Sequence, residues 1–457
     1  MNILVPIMMF GWIPIVIGLF SRLPPRRAVI TSFLFAWMFL PMAEYPIPGL
    51  PDYTKMSATC WGVLIAALMF DSNSVFSFRF KIIDIPMIVW CICPALSSLS
   101  NDLGLYDGVS ESLAQTVTWG FPYFIGRIYF NDLESLKEFT FGIFIGGIIY
   151  MPLCWFEIRF SPQLHRIFYG YHQRAFVQTI RYGGFRPMVF MEHGLMVGIW
   201  MISATLIGLW AWVTGILKKV RGIPIPILVI LLLITSVLCK STGAIALFIM
   251  GATVLLITKK IKMNILFICL VLLPILYVST RATGYWNAEN FAMFVYKHDK
   301  ERAQSLWTRI DNENILIEKA LEKKFFGWGG WGRSRVYDDE GQDITITDGL
   351  WIIVFGKNGI LGIAALMSSI LIPIIAVMKF YRPHELFNQK VIPVTILSVL
   401  LGLYMIDSLL NAMVNPIFMV ASGGISGLIK ESLEEKEVQQ IPILESIGKM
   451  IYQPRFL

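Results

Sequence analysis

The chain of 457 residues is 56% hydrophobic and only 15% charged, whereas soluble domains carry about 25% charged residues. With a mean hydropathy of +0.65, this composition excludes a soluble globular protein and indicates an integral membrane protein. The apolar runs are continuous rather than alternating, which argues against a β-barrel. The formal net charge of +7 would suggest nucleic acid in a soluble protein. Here the basic residues cluster between apolar runs, as the positive-inside rule requires, so we expect no nucleic-acid partner.

Continuous apolar runs predict an all-α polytopic membrane protein. A membrane-spanning helix needs roughly 20 apolar residues, so we expect about 12 to 13 spans. The predicted spans cover residues 3–20, 28–43, 57–70, 83–99, 113–130, 139–157, 188–216, 224–239, 243–257, 263–279, 349–379, 391–408 and 411–429. The longest polar interval, residues 281–348, predicts one large extracytoplasmic loop with amphipathic helices.

The distribution of lysine and arginine predicts the orientation of these spans. We place in the cytoplasm residues 21–27, 71–81, 131–137, 218–221, 258–264, 379–390 and the tail from 430. No basic segment precedes the first apolar run, and Arg22, Arg26 and Arg27 follow it. We therefore expect a retained first helix with its N-terminus outside, and no cleaved signal sequence.

The spans and loops divide the chain into four predicted parts. These are an N-terminal bundle (1–280) with a basic outer loop (159–187), the large outer loop (281–348), the C-terminal helices (349–429) and a tail (430–457). The tail joins the charged run "KESLEEKE" to the apolar run "IPILESIGKMIY". That pattern predicts a cytoplasmic amphipathic segment lying on the bilayer.

The cysteines do not indicate a disulfide framework or a metal site. All six lie in or at the edge of apolar runs: Cys60, Cys91, Cys93, Cys154, Cys239 and Cys269. Cys91 and Cys93 lack the C-x-x-C spacing and have no histidine nearby. We therefore predict no metal ligands and no cofactor.

The basic outer loop carries arginines interleaved with aromatic residues and no acidic residue after Glu157. The arginines are Arg159, Arg166, Arg174, Arg181 and Arg186. Because nothing within the loop neutralises them, we expect it to attract an anion near the membrane surface. Lipid headgroups are one candidate. The diphosphate of a lipid-linked donor is the other, since arginine binds phosphate oxygens in paired hydrogen bonds.

Two ionisable positions follow this loop. Glu192 and His193 lie five or six residues into the span predicted to start at Met188, a depth at which ionisable groups face a cavity or a partner. We expect either a Glu–His pair between helices, or a proton acceptor or substrate contact. Lys240 separates two apolar spans and is expected either to snorkel to the interface or to strengthen an anion site at the next helix N-terminus.

The large loop contains the remaining candidates. Residues 306–325 have the apolar spacing of an amphipathic helix. Arg309 is expected to pair with Glu313 one turn away, or to face a substrate. The turn "FFGWGGWG" presents Trp328 for packing or for stacking on a sugar. Arg333 and Arg335 precede an acidic run. Asp348 is expected to be the N-cap of the next helix, and the Lys357-Asn358-Gly359 sequence is expected to break that helix.

These features together resemble the O-antigen ligase and O-antigen polymerase superfamily of bacterial surface-polysaccharide assembly. The resemblance rests on "RYGGFRP" after a basic outer loop, on "KSTGAIAL" opening a span, and on "LWTRIDNENILIEKALEKKFFGWGGWG" followed by "TDGLWIIVFGKNGILG". It covers about residues 120 to 430 in order and spacing.

The resemblance implies a C-type, metal-independent glycosyltransferase in the bacterial inner membrane, with its active site facing the periplasm or the exterior. It implies an undecaprenyl-diphosphate-linked glycan as donor, a glycan or lipid-linked acceptor, contact with membrane lipids, and other polysaccharide export components as candidate partners. By position it assigns catalytic roles to Arg181, Lys240, Arg309 and Asp348. Substrate-binding roles fall to Arg174, Arg186, Glu192, His193, Trp328, Arg333 and Arg335.

Two alternatives stay open at this point. Asp348 stands where ligases of the superfamily usually carry a histidine, which favours a polymerase over a ligase that transfers glycan to a lipid A core. In the polymerase, Asp348 would be the general base. A transporter of lipid-linked glycans would use the same arginines for binding without bond formation. Transporters often have paired broken helices in related halves, and the sequence shows no convincing pair.

Overall fold

The computed structural model describes residues 2–47, 50–297 and 300–428, and most of them are helical. The helices are α1 (Leu4–Arg22), α2 (Pro25–Phe39), α3 (Lys55–Phe70), α4 (Ser72–Phe76), α5 (Ile85–Ser100), α6 (Leu105–Gln115), α7 (Phe121–Tyr129), α8 (Leu133–Phe160), α9 (Leu164–Tyr169), α10 (Gly194–Val213), α11 (Ile225–Leu238), α12 (Thr242–Ile261), α13 (Ile265–Ala282), α14 (Glu289–Tyr296), α15 (Lys300–Leu321), α16 (Leu350–Phe380), α17 (Ile392–Leu410) and α18 (Pro416–Leu428). The tail predicted for residues 430–457 lies outside the described residues.

Short strands form three antiparallel hairpins in the connections. These are β1–β2 (Glu44–Ile47 and Leu50–Thr54), β3–β4 (Ile180–Arg181 and Gly184–Phe185) and β5–β6 (Lys219–Val220 and Ile223–Pro224). None of the three joins a larger sheet. The described chain is therefore a helical bundle with hairpins at its ends.

The bundle is that of a polytopic membrane protein, with fewer full-length spans than predicted. Within the described residues, eight helices are long and apolar enough to cross a membrane: α1, α5 with the preceding 3₁₀ turn, α8, α10, α12, α13, α16 and α17. The helices α3, α11 and α18 are apolar but shorter. The prediction of an all-α polytopic membrane protein is confirmed, and eight of the 12 to 13 predicted spans correspond to helices of full spanning length among the described residues.

Three predicted spans differ from the structure for local reasons. The span 28–43 ends at Phe39, before the β1–β2 hairpin. The span 113–130 is built from the end of α6, a π-helical segment (Thr116–Gly120) and α7. The span 188–216 starts as a helix only at Gly194, after a segment whose first two N–H groups, of Met188 and Val189, donate to the carboxylate of Glu157.

The helices α10 and α17 form the centre of the bundle and are its most buried spans. Close contacts depend on small residues: a Cβ at Gly147 would collide with Ala204 of α10, and a Cβ at Gly402 would collide with Leu270 of α13. Small residues at such crossings let helix backbones approach closely in a membrane.

The connections segregate to two ends of the bundle. At one end, the backbone N–H of Asn2 donates to Tyr169 O at 3.1 Å, and Lys240 contacts the β3–β4 turn. At the other end, Arg26 pairs with Asp132. Each of these contacts joins connections that were predicted to lie on the same side of the membrane. We call the end that carries residues 40–55, 161–193 and 239–242 the cavity end.

Helix α16 is broken at Gly359, as the Lys-Asn-Gly sequence predicts. Gly359 has φ 65° and ψ −162°, and a Cβ there would collide with the backbone of Phe325. The glycine-rich turn fills the break, because the N–H groups of Trp328 and Gly329 donate to Gly356 O at 2.8 Å and Lys357 O at 2.9 Å. The turn and the break therefore stabilise each other.

We expect Gly359→Ala to lower the thermal unfolding midpoint of the purified protein. The substitution forces an unfavourable backbone conformation, which costs about 1–3 kcal/mol, and adds a collision. Gly18→Ala is the matched control, since Gly18 lies inside α1 with no atom within 4 Å of a Cβ. A midpoint for Gly359→Ala equal to that of the control would contradict this interpretation.

Candidate functional site

A buried carboxylate near the end of α8 anchors the basic outer loop. Glu157 is 1% exposed and accepts hydrogen bonds from the backbone N–H groups of Leu164 at 3.0 Å, Met188 at 2.8 Å and Val189 at 2.7 Å. One side chain thus fixes both ends of the loop. Sequence reasoning missed this role, although an acid near the end of an apolar span was a visible signal.

A neutral histidine attaches the middle of the loop to the end of α2. The ring of His165 is buried, with Nδ1 2.9 Å from Tyr171 O and Nε2 accepting from the N–H of Met42 at 3.3 Å. Burial lowers the pKa of His165 to about 4. The loop is therefore a rigid platform for its arginines.

Lys240 brings Arg181 and Arg186 together. Its ammonium donates to Arg181 O at 2.9 Å and Tyr182 O at 3.2 Å, and Arg186 donates to Lys240 O at 3.0 Å. A Cβ at Gly184 would collide with the lysine Nζ. Lys240 thus fastens the β3–β4 hairpin to the N-terminal end of α12 through backbone carbonyls.

Glu192 and His193 occupy a different environment from the one predicted. They precede α10 rather than lying inside a span, and they do not form the expected Glu–His pair. Glu192 pairs with Arg174 instead. His193 is the N-cap of α10, and its Nδ1 accepts from the N–H of Leu195 at 3.1 Å. The proton of the neutral ring therefore lies on Nε2.

Four arginines act electrostatically on His193. Burial, followed by the positive charges of Arg186, Arg174, Arg181 and Arg309, lowers the pKa of His193 to about 4. Arg309 belongs to α15 in the large loop, 116 residues further along the chain than His193. We call Arg174, Arg181, Arg186, Lys240 and Arg309 the cationic cluster.

Arg309 links this cluster to Asp348. Its Nε donates to Asp348 Oδ2 at 3.1 Å, so the predicted Arg309–Glu313 pair is wrong. The predicted N-cap role of Asp348 is also wrong: α16 begins at Leu350, with Gly349 at the N-cap and no side-chain cap. The charge of Arg309 also acts on Asp407 near the end of α17.

A buried network holds α15 in place. Glu313 is 4% exposed, and its carboxylate accepts from Arg281 Nη2 at 3.1 Å, Tyr277 Oη at 3.0 Å and Trp351 Nε1 at 3.1 Å. These partners come from α13 and α16. Since Glu313 lies one turn from Arg309, the network fixes the helix that presents Arg309.

The remaining candidates of the large loop have other partners. Trp328 donates from Nε1 to Lys319 O at 2.8 Å, and Lys319 Nζ lies 3.8 Å from its ring centroid. Arg333 lies 3.9 Å from Asp107, and Arg335 pairs with Asp343. Within the part of the chain that the structure describes, the contacts of Trp328 and Arg333 do not connect them to the cationic cluster. Arg335 also donates to Thr347 Oγ1 at 3.5 Å, next to Asp348.

A cavity of about 270 Å³ opens at the cavity end beside the cluster. It is lined by Met42, Ala43, Glu44, Thr54, Lys55, Gln173, Arg174 and Glu192. We call it the Lys55 hollow. Sequence reasoning assigned Arg174 and Glu192 to substrate binding but missed Lys55, whose signal was a lysine directly before an apolar run.

No known family model matches the chain, and no curated protein matches it in sequence. The resemblance to O-antigen ligases and polymerases therefore stays a prediction that rests on the motifs quoted above. Within residues 2–47, 50–297 and 300–428, no group of three His, Cys, Asp or Glu side chains is placed to hold a metal ion.

We expect Arg281→Met to destabilise the fold strongly. Removing the cation leaves the Glu313 carboxylate buried, which costs about 3–5 kcal/mol. Arg333→Met is the control, because Arg333 is 36% exposed and a surface pair contributes about 0–1 kcal/mol. The measurement is the thermal unfolding midpoint of each variant, which should be lower for Arg281→Met. Equal midpoints would contradict the anchoring role of Glu313.

We also expect His193 to make stability depend on pH. Its folded-state pKa of about 4 lies below the ordinary 6.5, so the fold favours the neutral ring. That stabilisation is complete above pH 6.5 and is lost as the pH falls towards 4. His193→Asn keeps an N-cap side chain without a titrating group. The thermal unfolding midpoint of this variant should fall less than that of the wild type between pH 6.5 and 4. If the two midpoints fall equally with pH, His193 is not the cause of the pH dependence.

Proposed function

We propose that the protein is a glycosyltransferase of polysaccharide assembly in the bacterial inner membrane. It polymerises undecaprenyl-diphosphate-linked repeat units at the outer face, without a metal. One observation supports this most strongly: the cationic cluster draws side chains from the basic outer loop, the start of α12 and the large loop. Five cations gathered from distant segments suit a ligand with several negative charges.

The cationic cluster supplies positive charge that would stabilise a departing diphosphate. Glu192 and Asp348 neutralise only part of its charge, by pairing with Arg174 and Arg309. Lys240 is held by the carbonyl oxygens of Arg181 and Tyr182, which orient its ammonium but do not cancel its charge. Arg186 donates to the carbonyl oxygen of Lys240. Preorganised cations of this kind stabilise charge that develops in a transition state.

In the proposed reaction, the acceptor hydroxyl oxygen attacks the anomeric carbon of the donor. The bond from that carbon to the diphosphate oxygen breaks, and the diphosphate leaves with the electron pair. The hydroxyl proton passes to Asp348. His193 is the poorer base, because its Nδ1 already accepts from the N–H of Leu195 and its Nε2 carries the proton. Arg309, whose cation would stabilise the departing diphosphate, lies next to the base Asp348.

The test is chain extension by the purified protein in nanodiscs, with lipid-linked repeat units extracted from the host and chelator present. We expect elongated products. Arg309→Met should lower the rate about 10²–10³-fold, and Asp348→Asn about 10²–10⁴-fold. Arg79→Met, an exposed arginine at the other end of the bundle, is the control.

Three outcomes would contradict the proposal. Dependence on added divalent metal would exclude catalysis by cationic side chains alone. Transfer to a lipid A core, but not to another repeat unit, would identify a ligase. Binding of repeat units that stay intact and unextended would favour a transporter.

A further inference from the structure

We propose that the Lys55 hollow binds one neutral sugar unit of the glycan substrate. The inference rests on the proposed function and adds a site for the saccharide to the site for the diphosphate. It is carried by the cavity itself, by the buried ammonium of Lys55 and by the mixed polarity of the lining residues.

Lys55 is a buried ammonium with incomplete hydrogen bonding. The residue is 8% exposed, and its Nζ lies 3.4 Å from Trp37 O and 4.7 Å from the centroid of the Trp37 ring. No carboxylate of the described residues lies within 4.0 Å of it. An ammonium has three donors, and leaving them unmet in a buried position is costly. A ligand in the hollow would complete them.

The other lining residues favour a polyhydroxyl ligand over an anion. Two carboxylates, from Glu44 and Glu192, accept hydrogen bonds and balance the charges of Lys55 and Arg174, so the lining has no net charge that would attract an anion. The amide nitrogen of Gln173 donates to Val189 O at 2.8 Å and Met191 O at 3.1 Å, so the amide oxygen is the group left to accept from a ligand. Sugar hydroxyls donate to such acceptors and accept from Lys55.

Size and position agree with a single sugar. The volume of about 270 Å³ lies just below the roughly 300–1,000 Å³ of sites that enclose a drug-sized ligand, so one unit of a longer chain fits better than a whole oligosaccharide. Arg174 both lines the hollow and belongs to the cationic cluster. A sugar in the hollow therefore lies next to the groups that would hold the diphosphate.

The test is calorimetric titration of the full chain in nanodiscs. The probes are the methyl glycosides of glucose, galactose, rhamnose and N-acetylglucosamine, with glucuronate as the charged counterpart of glucose and inorganic pyrophosphate as a separate probe. We expect at least one neutral glycoside to bind, and glucuronate to bind more weakly than glucose. Lys55→Met should weaken glycoside binding about tenfold, a change of about 1.4 kcal/mol, and leave pyrophosphate binding unchanged.

Lys219→Met, an exposed lysine in the β5–β6 hairpin, is the control and should bind as the wild type does. Glu192→Gln is the second variant if Lys55→Met does not fold, and it should weaken glycoside binding too. Three results would overturn the inference. No glycoside binds, or both lining variants bind glycosides as tightly as the wild type does, or glucuronate binds more tightly than glucose. If pyrophosphate binds and no glycoside does, only the sugar site fails; if pyrophosphate also fails, the proposed function fails.

Discussion

Repulsion between like charges is the constraint on which the site depends. The cationic cluster gathers Arg174, Arg181, Arg186, Lys240 and Arg309 at one end of a membrane bundle, and their mutual repulsion opposes that arrangement. Rigid anchors oppose the repulsion. Glu157 fixes the outer loop through three backbone N–H groups, and Glu313 fixes α15 through Arg281, Tyr277 and Trp351. The anchors are buried, whereas Arg174 and Arg309 keep part of their side-chain surface exposed.

In the proposed complex, the diphosphate and the sugar of the substrate bind in two adjacent regions of the protein. The cationic cluster suits the diphosphate, because carbonyl contacts orient Lys240 and leave its charge in place. The Lys55 hollow suits a neutral sugar, because its two carboxylates balance its two cations and accept hydrogen bonds from hydroxyls. Arg174 touches both regions. A lipid-linked glycan bound in this way would place its scissile bond between them.

Local patterns in the sequence were enough to predict most helices and the break at Gly359, since both follow from apolar runs and glycine chemistry. The basic outer loop was likewise visible as an arginine-rich segment. Pairings between distant segments were not predictable, because they depend on how the helices pack. Arg309, for example, pairs with Asp348 and not with Glu313, which is one turn away. Residues 188–193 were predicted to be helical, and a carboxylate 31 residues away at Glu157 holds Met188 outside the helix.

The most direct measurement of the central claim is the imidazole resonance of His193, followed by NMR while inorganic pyrophosphate is added to the protein in nanodiscs. A dianion or trianion bound among the surrounding guanidinium groups favours the protonated ring. The account predicts that the resonance shifts and that the pKa of His193 rises from about 4. A resonance and a pKa that stay constant at saturating pyrophosphate would contradict it.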